Sequence, residues 1–146
     1  MKRIFYLSLF YLIFGLSFGV FYREYTRAMD FGGSTALSFV HPHILTLGFL
    51  FFILVLVLNK IFELTEFKYY RSFIVIYNIG LILSVLAMIC RGILDIIKFD
   101  FNALSYIAGI GHIILAIGLG FFMANLYLSI KSKKHVGVKT KNDSNS

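Results

Sequence analysis

Four long apolar runs alternate with short polar links along the chain. The runs are Ile4–Tyr22, Leu37–Leu58, Ser72–Ile93 and Ala103–Ile130. A helix needs about 20 mostly apolar residues to cross ~30 Å of hydrocarbon, so each run is long enough to span a bilayer. Because the links are short, neighbouring helices must be antiparallel. The pattern predicts an all-α integral membrane four-helix bundle, up-down-up-down, over residues 1–130, followed by a disordered basic cytoplasmic tail over 131–146.

The composition also indicates that lipid surrounds most of the chain. Of its 146 residues, 59% are hydrophobic and 14% are charged, which is more apolar surface than a soluble domain of this size can bury. One end of the predicted bundle carries ten basic residues, Lys2, Arg3, Lys60, Lys68, Arg71, Lys131, Lys133, Lys134, Lys139 and Lys141, and the other carries four, Arg23, Arg27, Arg91 and Lys98. The positive-inside rule therefore predicts a multi-pass plasma-membrane protein with both termini in the cytoplasm. The net charge of +7 follows from this topology and from contact with anionic lipid, so no nucleic-acid partner is expected.

Three features in the first half of the chain concern the first span, its packing and the start of the second helix. The first run has a basic start, but it is longer than a signal-peptide core and no small-x-small cleavage site follows it, so we expect it to be retained. Within it, Gly15 and Gly19 have the G-x-x-x-G spacing that lets another helix approach closely, either in the same chain or in a homodimer. Ser34 is the expected N-cap of the second helix.

Three histidines lie inside the apolar runs: His41, His43 and His112. Imidazole in hydrocarbon is costly unless it is paired, so each marks a functional-site hypothesis, and together they indicate a metal or haem site. Hydrogen bonds between helices are the ordinary alternative. His41 and His43 lie about 200° apart around a regular helix and point to opposite sides. Pro42 disturbs the helix between them, so either imidazole could be the ligand.

The neighbours of these histidines predict space beside two of them. Gly48 shares the face of His41, and Gly109 and Ala116 flank His112. Such recesses suit a flat macrocycle or a closely packed helix. Both histidines are expected in the outer half of the bilayer. Arg91 would lie near the outer end of the third run, where it would pair with haem propionates or form a salt bridge with Asp95.

Two stretches resemble known families. The segments 14–27 and 41–50 resemble an uncharacterised bacterial family of small four-helix membrane proteins, a domain of unknown function. The pattern His-x-His-x-x-x-x-Gly-Phe, from His41 to Phe49, is similar to one in the main subunit of haem–copper oxidases, where helix histidines near the outer side hold haem. This resemblance implies haem as cofactor, with His41 or His43 and His112 as axial ligands. Four helices cannot build a complete oxidase centre, so it implies electron transfer, sensing or haem handling.

Three functions therefore stand beside one another. The first is a haem-binding membrane protein with bis-histidine ligation in the outer half of the bilayer. The second is a copper or zinc site on His41, His43 and His112, with Met88 and Cys90 as soft additions. The third is a non-catalytic subunit or assembly partner, as a homodimer or in a larger membrane complex. The acidic residues all fall in loops, helix ends or the tail, so the chain is not expected to be an enzyme on its own.

Overall fold

The computed structural model of the chain describes residues 1–99, 101 and 103–143, with side chains as far as Lys133, and this part is all-helical. Its elements are α1 (Lys2–Ala28), α2 (Leu37–His43), a π-helical segment (Ile44–Leu50), α3 (Phe51–Phe62), a 3-10 turn (Leu64–Glu66), α4 (Tyr70–Ile96) and α5 (Ala103–Asp143). Four helical spans are long and apolar enough to cross a membrane: Lys2–Ala28, Leu37–Phe62, Tyr70–Ile96 and Ala103–Lys133. The predicted all-α class and the predicted number of spans are confirmed.

The helices continue past the predicted ends of the apolar runs. In α1, for example, the helix includes Thr26, which lies in the link predicted after Tyr22. The Thr26 hydroxyl donates a hydrogen bond to the Tyr22 carbonyl, 2.8 Å away. The backbone of α5 is helical to Asp143, although a disordered tail was expected from Lys131. The side chain of His135 and residues 144–146 lie outside the described part of the chain, so the boundary of the tail stays a prediction.

Glycines let the helix pairs approach closely. A methyl group added at Gly80 would lie 2.7 Å from Cα of Leu115, and one at Gly118 would lie 2.7 Å from Cα of Tyr77, so α4 and α5 meet backbone to backbone. On the other side of the bundle, Gly15 faces Leu45 and Gly19 faces His41. The G-x-x-x-G of the first span is therefore used for packing within the chain.

An aromatic cluster fills the core between α3, α4 and α5. The side chains of Phe52, Phe73 and Tyr77 are completely buried. The ring of Phe51 stacks on Tyr77, with centroids 4.5 Å apart, and meets Phe122 of α5 at 5.3 Å. This cluster determines which residues of the second span and of α5 lie at the same depth, and the depths of the histidines follow from it.

Polar side chains tie the links to the two ends of the bundle. At what we call the Asn59 end, where α1 and α4 begin, the side-chain oxygen Oδ1 of Asn59 accepts a hydrogen bond from the Thr65 amide (3.0 Å). At the opposite, Asp95 end, the Thr35 hydroxyl donates to the Gly92 carbonyl (2.7 Å) and accepts from the Leu37 amide. The prediction of Ser34 as N-cap is therefore wrong, because the helix begins at Leu37 and Thr35 satisfies its first amide.

Candidate functional site

Pro42 determines the local shape of the second span. Because proline has no amide proton, the carbonyl of Ser38 loses its helical donor. Beyond Pro42 the helix widens into the π-helical segment, at whose end the Phe51 amide donates to the Thr46 carbonyl, five residues back. Inside the segment, the Leu47 carbonyl accepts a hydrogen bond from the Tyr77 hydroxyl of α4, 2.8 Å away. A single π turn of this kind within an α-helix is frequent at functional sites.

His41 faces α1. Its ring is half-buried, and a methyl group on Gly19 would lie 3.3 Å from its Nδ1. Within the described part of the chain, this Nδ1 is buried without a hydrogen-bond partner. On the same side of the helix, Gly48 lies against the ring of Tyr11. The recess predicted beside His41 is therefore occupied by α1. Of the two expected occupants, a macrocycle or a closely packed helix, this is the second.

His43 has the opposite orientation, as its spacing from His41 predicted. Its Nδ1 lies 2.8 Å from the carbonyl oxygen of Phe39, one turn earlier. A carbonyl can only accept, so Nδ1 carries a proton, and in the neutral ring Nε2 then has the lone pair. The ring is half-buried beside the exposed Pro42.

His112 repeats this arrangement on α5. Its Nδ1 lies 2.7 Å from the carbonyl oxygen of Ala108, again four residues earlier, and its ring is exposed on the surface of the bundle. Nδ1 of His112 therefore also carries a proton, and in the neutral ring Nε2 has the lone pair. The space predicted beside it is open, since a methyl group on Gly109 would meet nothing within 4 Å.

The contacts between the second span and α5 lie nearer the Asn59 end than His43 and His112 do. From His43, steps of four residues lead through Leu47 to Phe51, whose ring packs on Phe122 of α5. From His112, steps of seven residues lead through the partly buried Leu119 and Leu126 to Lys133, which contacts Ile61 and Phe62 of α3. Each step of seven residues falls about 20° short of two full turns, so Lys133 lies about 60° around α5 from His112.

The two imidazoles also lie at similar depths. Measured from the contact of Phe51 with Phe122, His43 is eight residues and His112 is ten residues toward the Asp95 end. At ~1.5 Å per residue of α-helix the ten residues rise about 15 Å, and the eight that include the π-helical segment rise about 10 Å, as seven α-helical residues would, a difference of about 5 Å. Both histidines thus lie in the part of the bundle nearer the Asp95 end, and we call the candidate site between them the His43–His112 cleft.

Helix α4 lies behind this cleft, because it packs against both α2 and α5. Its Gly92 contacts Leu37, and its Ser84 contacts Gly111, the residue before His112. The Ser84 hydroxyl is buried and has no hydrogen-bond partner among the described residues. Arg91, seven residues along from Ser84, lies on the same face of α4 and nearer the Asp95 end.

Arg91 forms the salt bridge that its spacing predicted. Its Nε lies 3.0 Å from Oδ1 of Asp95. The other oxygen of that carboxylate accepts a hydrogen bond from the Ala36 amide, 3.0 Å away, so the pair also holds the start of the second span. The side chain of Arg91 is about two-fifths exposed, so a role toward an anionic ligand stays a prediction.

Over the described residues, no three His, Cys, Asp or Glu side chains are grouped so that they could hold a metal ion. His41 faces α1, whereas the rings of His43 and His112 are each hydrogen-bonded to a carbonyl of their own helix. Cys90 is exposed as a free thiol, and Met88 is half-buried in the core of the bundle. The sequence missed the two backbone carbonyls that fix the histidine rings, although both lie four residues before their histidine, one helical turn away.

Comparison with known proteins identifies the family. Residues 1–129 match the model of a protein family of unknown function, DUF2871. The chain belongs to this family. No curated protein and no solved structure matched. The predicted resemblance to a family of unknown function is thereby confirmed, and nothing in the comparisons supports the resemblance to haem–copper oxidases.

Proposed function

We propose that this protein binds haem in the His43–His112 cleft, with these two imidazoles as axial ligands and Arg91 beside the propionates. One observation supports the proposal: both rings donate Nδ1–H to the carbonyl four residues earlier, and both lie toward the Asp95 end of the bundle. Of the two histidines around Pro42, His43 is thus favoured over His41.

The hydrogen bonds made by Nδ1 of the two rings suit the binding of iron through Nε2. A histidine that binds a metal through Nε2 usually donates its other ring proton to a carbonyl or carboxylate, which fixes the tautomer and the ring orientation. His43 and His112 have this bond already. His41 has none, and its Nδ1 is enclosed by α1.

Haem fits the available ligands better than a bare ion does. Zinc in structural sites takes four protein ligands, and in catalytic sites three. No group of three was found over the described residues, so copper or zinc would need ligands from a second chain. Haem supplies four nitrogens itself and takes only the two axial ligands from the protein. The open space around Gly109 suits a large planar group.

The cofactor would supply one-electron chemistry, with a potential set by the two imidazoles and by burial. Both axial positions would be taken, so electron transfer, sensing or haem handling is favoured over reactions at an open iron site. The protein itself would hold the two rings in place and would position a cation at the Asp95 end of the cleft. Arg91, held by Asp95, provides that cation.

Absorption spectroscopy tests the proposal. The protein is expressed with haem supplied, purified in mild detergent, and measured oxidised and dithionite-reduced. We expect a stoichiometric Soret band and sharp reduced bands. His43→Gly and His112→Gly should lose the low-spin spectrum, and His41→Gly serves as the matched control that retains it.

Free imidazole separates ligand loss from misfolding. Added to His112→Gly, it should restore the low-spin bands, because it can fill the space left by the side chain. A colourless wild-type protein from haem-replete cells would refute haem binding. Loss of the spectrum in His41→Gly but not in His43→Gly would refute the ligand assignment.

A second candidate function, as a subunit of a homodimer or larger membrane complex, is favoured by the outer surface of α5. A methyl group would meet nothing within 4 Å at Gly109 or Gly120, and Ala116 between them is exposed. Small residues of this kind let another helix pack closely. Disulfide formation by Gly120→Cys in a Cys90→Ser background would support a homodimer, with the exposed Val75→Cys as the control.

We also propose the plasma-membrane topology with both termini in the cytoplasm, as the distribution of basic residues favours. In a Cys90→Ser background, Ser34→Cys and Thr65→Cys each place one thiol in an exposed link at opposite ends of the bundle. In intact cells, a membrane-impermeant maleimide should label only Ser34→Cys. Labelling of only Thr65→Cys would refute this orientation.

A further inference from the structure

A cavity of about 680 Å³ opens at the Asn59 end, between the beginnings of α1 and α4. Lys2 and Arg3 line it from α1, and Arg71 lines it from α4. Leu7, Ile74 and Val75 form its apolar walls. The volume falls within the range of ~300–1,000 Å³ that is usual for small-molecule sites.

The electrostatics of this cavity are strongly positive. Three basic side chains line it and no acidic side chain does. Across the described residues, none of the three has an ion pair with Asp or Glu. The first turns of α1 and α4 contain no acidic residue, so the positive ends of both helix dipoles add to the same potential. An anion is the ligand class that this arrangement favours.

The apolar walls distinguish between kinds of anion. Val75 is 56% exposed on the outer surface of the bundle, where acyl chains would lie against it. The cavity is therefore charged at the end of the helices, at headgroup level, and apolar toward the middle of the span. A phospholipid has its charged and apolar groups in this same order, whereas free phosphate has no apolar group that could contact the walls.

We propose that this cavity binds the headgroup of an anionic phospholipid, with Lys2, Arg3 and Arg71 around the phosphate and acyl chains along Ile74 and Val75. Basic recesses between membrane helices are a recurrent way of holding anionic headgroups. The site is separate from the His43–His112 cleft, which lies nearer the Asp95 end, so it does not rest on haem binding.

The test is a binding titration on the purified full-length protein in a neutral detergent. Short-chain phosphatidylglycerol is titrated by isothermal calorimetry, with phosphatidylcholine of equal chain length and inorganic phosphate as comparators. We expect phosphatidylglycerol to bind at least tenfold more tightly than phosphatidylcholine. Each of Arg3→Gln and Arg71→Gln should weaken it about fivefold, and the double variant about 25-fold.

Matched controls come from the same end of the bundle. Lys60 and Lys68 do not line the cavity, so Lys60→Gln and Lys68→Gln should leave the affinity within about twofold. Arg71→Lys, which keeps the charge, should also stay within about twofold and shows that position 71 tolerates change. Helical ellipticity and elution volume report whether each variant is folded.

Three results would overturn the proposal. One is equal binding of phosphatidylglycerol and phosphatidylcholine. Another is an unchanged affinity in the folded double variant. The third is inorganic phosphate binding as tightly as phosphatidylglycerol, because the site would then serve a free anion and the apolar walls would have no part in it.

Discussion

The backbone contact between α4 and α5 at Gly80 allows a quantitative prediction. A methyl group at this position would lie 2.7 Å from Cα of Leu115 and closer still to its amide nitrogen. Ordinary contacts of a Cβ lie at 3.4–4 Å. The atoms it meets belong to backbone, so no side-chain rotation can relieve the overlap. The helices must separate locally by about 1 Å, and overpacking of this kind typically costs ~1–3 kcal/mol.

Gly120→Ala is the matched control for Gly80→Ala. It makes the same chemical change, on α5, at a position where the added methyl group meets nothing within 4 Å. Alanine is the better helix former by about 1 kcal/mol, so this variant should be neutral or slightly stabilised. The same gain applies at Gly80, so the two variants should differ by the overpacking cost alone, ~1–3 kcal/mol in their free energy of unfolding.

The measurement is unfolding in mixed micelles of increasing dodecyl sulfate content, followed by the loss of helical ellipticity. Gly80→Ala should unfold at a lower dodecyl sulfate fraction than the wild type, and Gly120→Ala at the same or a higher one. If Gly80→Ala proves as stable as Gly120→Ala, α4 and α5 are not in backbone contact at this level, and the reasoning fails.

Three further substitutions should each lower the free energy of unfolding in the same assay. Tyr77→Phe removes the hydrogen bond to the Leu47 carbonyl and should cost ~0.6 kcal/mol, a typical value within membranes; an effect above 2 kcal/mol would mean that the hydroxyl does more than join two helices. Asp95→Asn weakens both the pairing with Arg91 and the acceptor for the Ala36 amide and should cost ~1 kcal/mol, less at high salt; a salt-independent loss would contradict the ionic part. Asn125→Ala leaves the buried Leu64 carbonyl without its donor and should cost ~1–3 kcal/mol, and an unchanged stability would show that this carbonyl finds another partner.

Much of the fold could be predicted from apolar run length alone, because hydrocarbon thickness determines how long a spanning helix must be. The four spans and the pairing of Arg91 with Asp95 were predicted because both depend on residues close in sequence. Thr35 was not recognised as the cap of the second helix, since its role depends on Gly92, which is distant in the chain.

The site was predictable only in part, for a similar reason. The sequence placed the histidines on opposite sides around Pro42, but it could not say which side faces α1. That choice depends on Gly19, which lets α1 approach His41 and encloses that ring. The basic cavity combines Arg3 with Arg71, and no local pattern links these two positions.

The π-helical segment Ile44–Leu50 has a consequence for the evolution of this span. A π turn arises where one more residue fits between hydrogen-bonded groups than an α-helix allows, while the helix on either side keeps its direction. Losing one residue there, such as Thr46, would turn the segment into ordinary α-helix without rotating His43 relative to Phe51. Elsewhere in the spans, the same loss would turn every later side chain by about 100°. This stretch is therefore where the family can shorten a transmembrane helix by one residue and keep both of its faces.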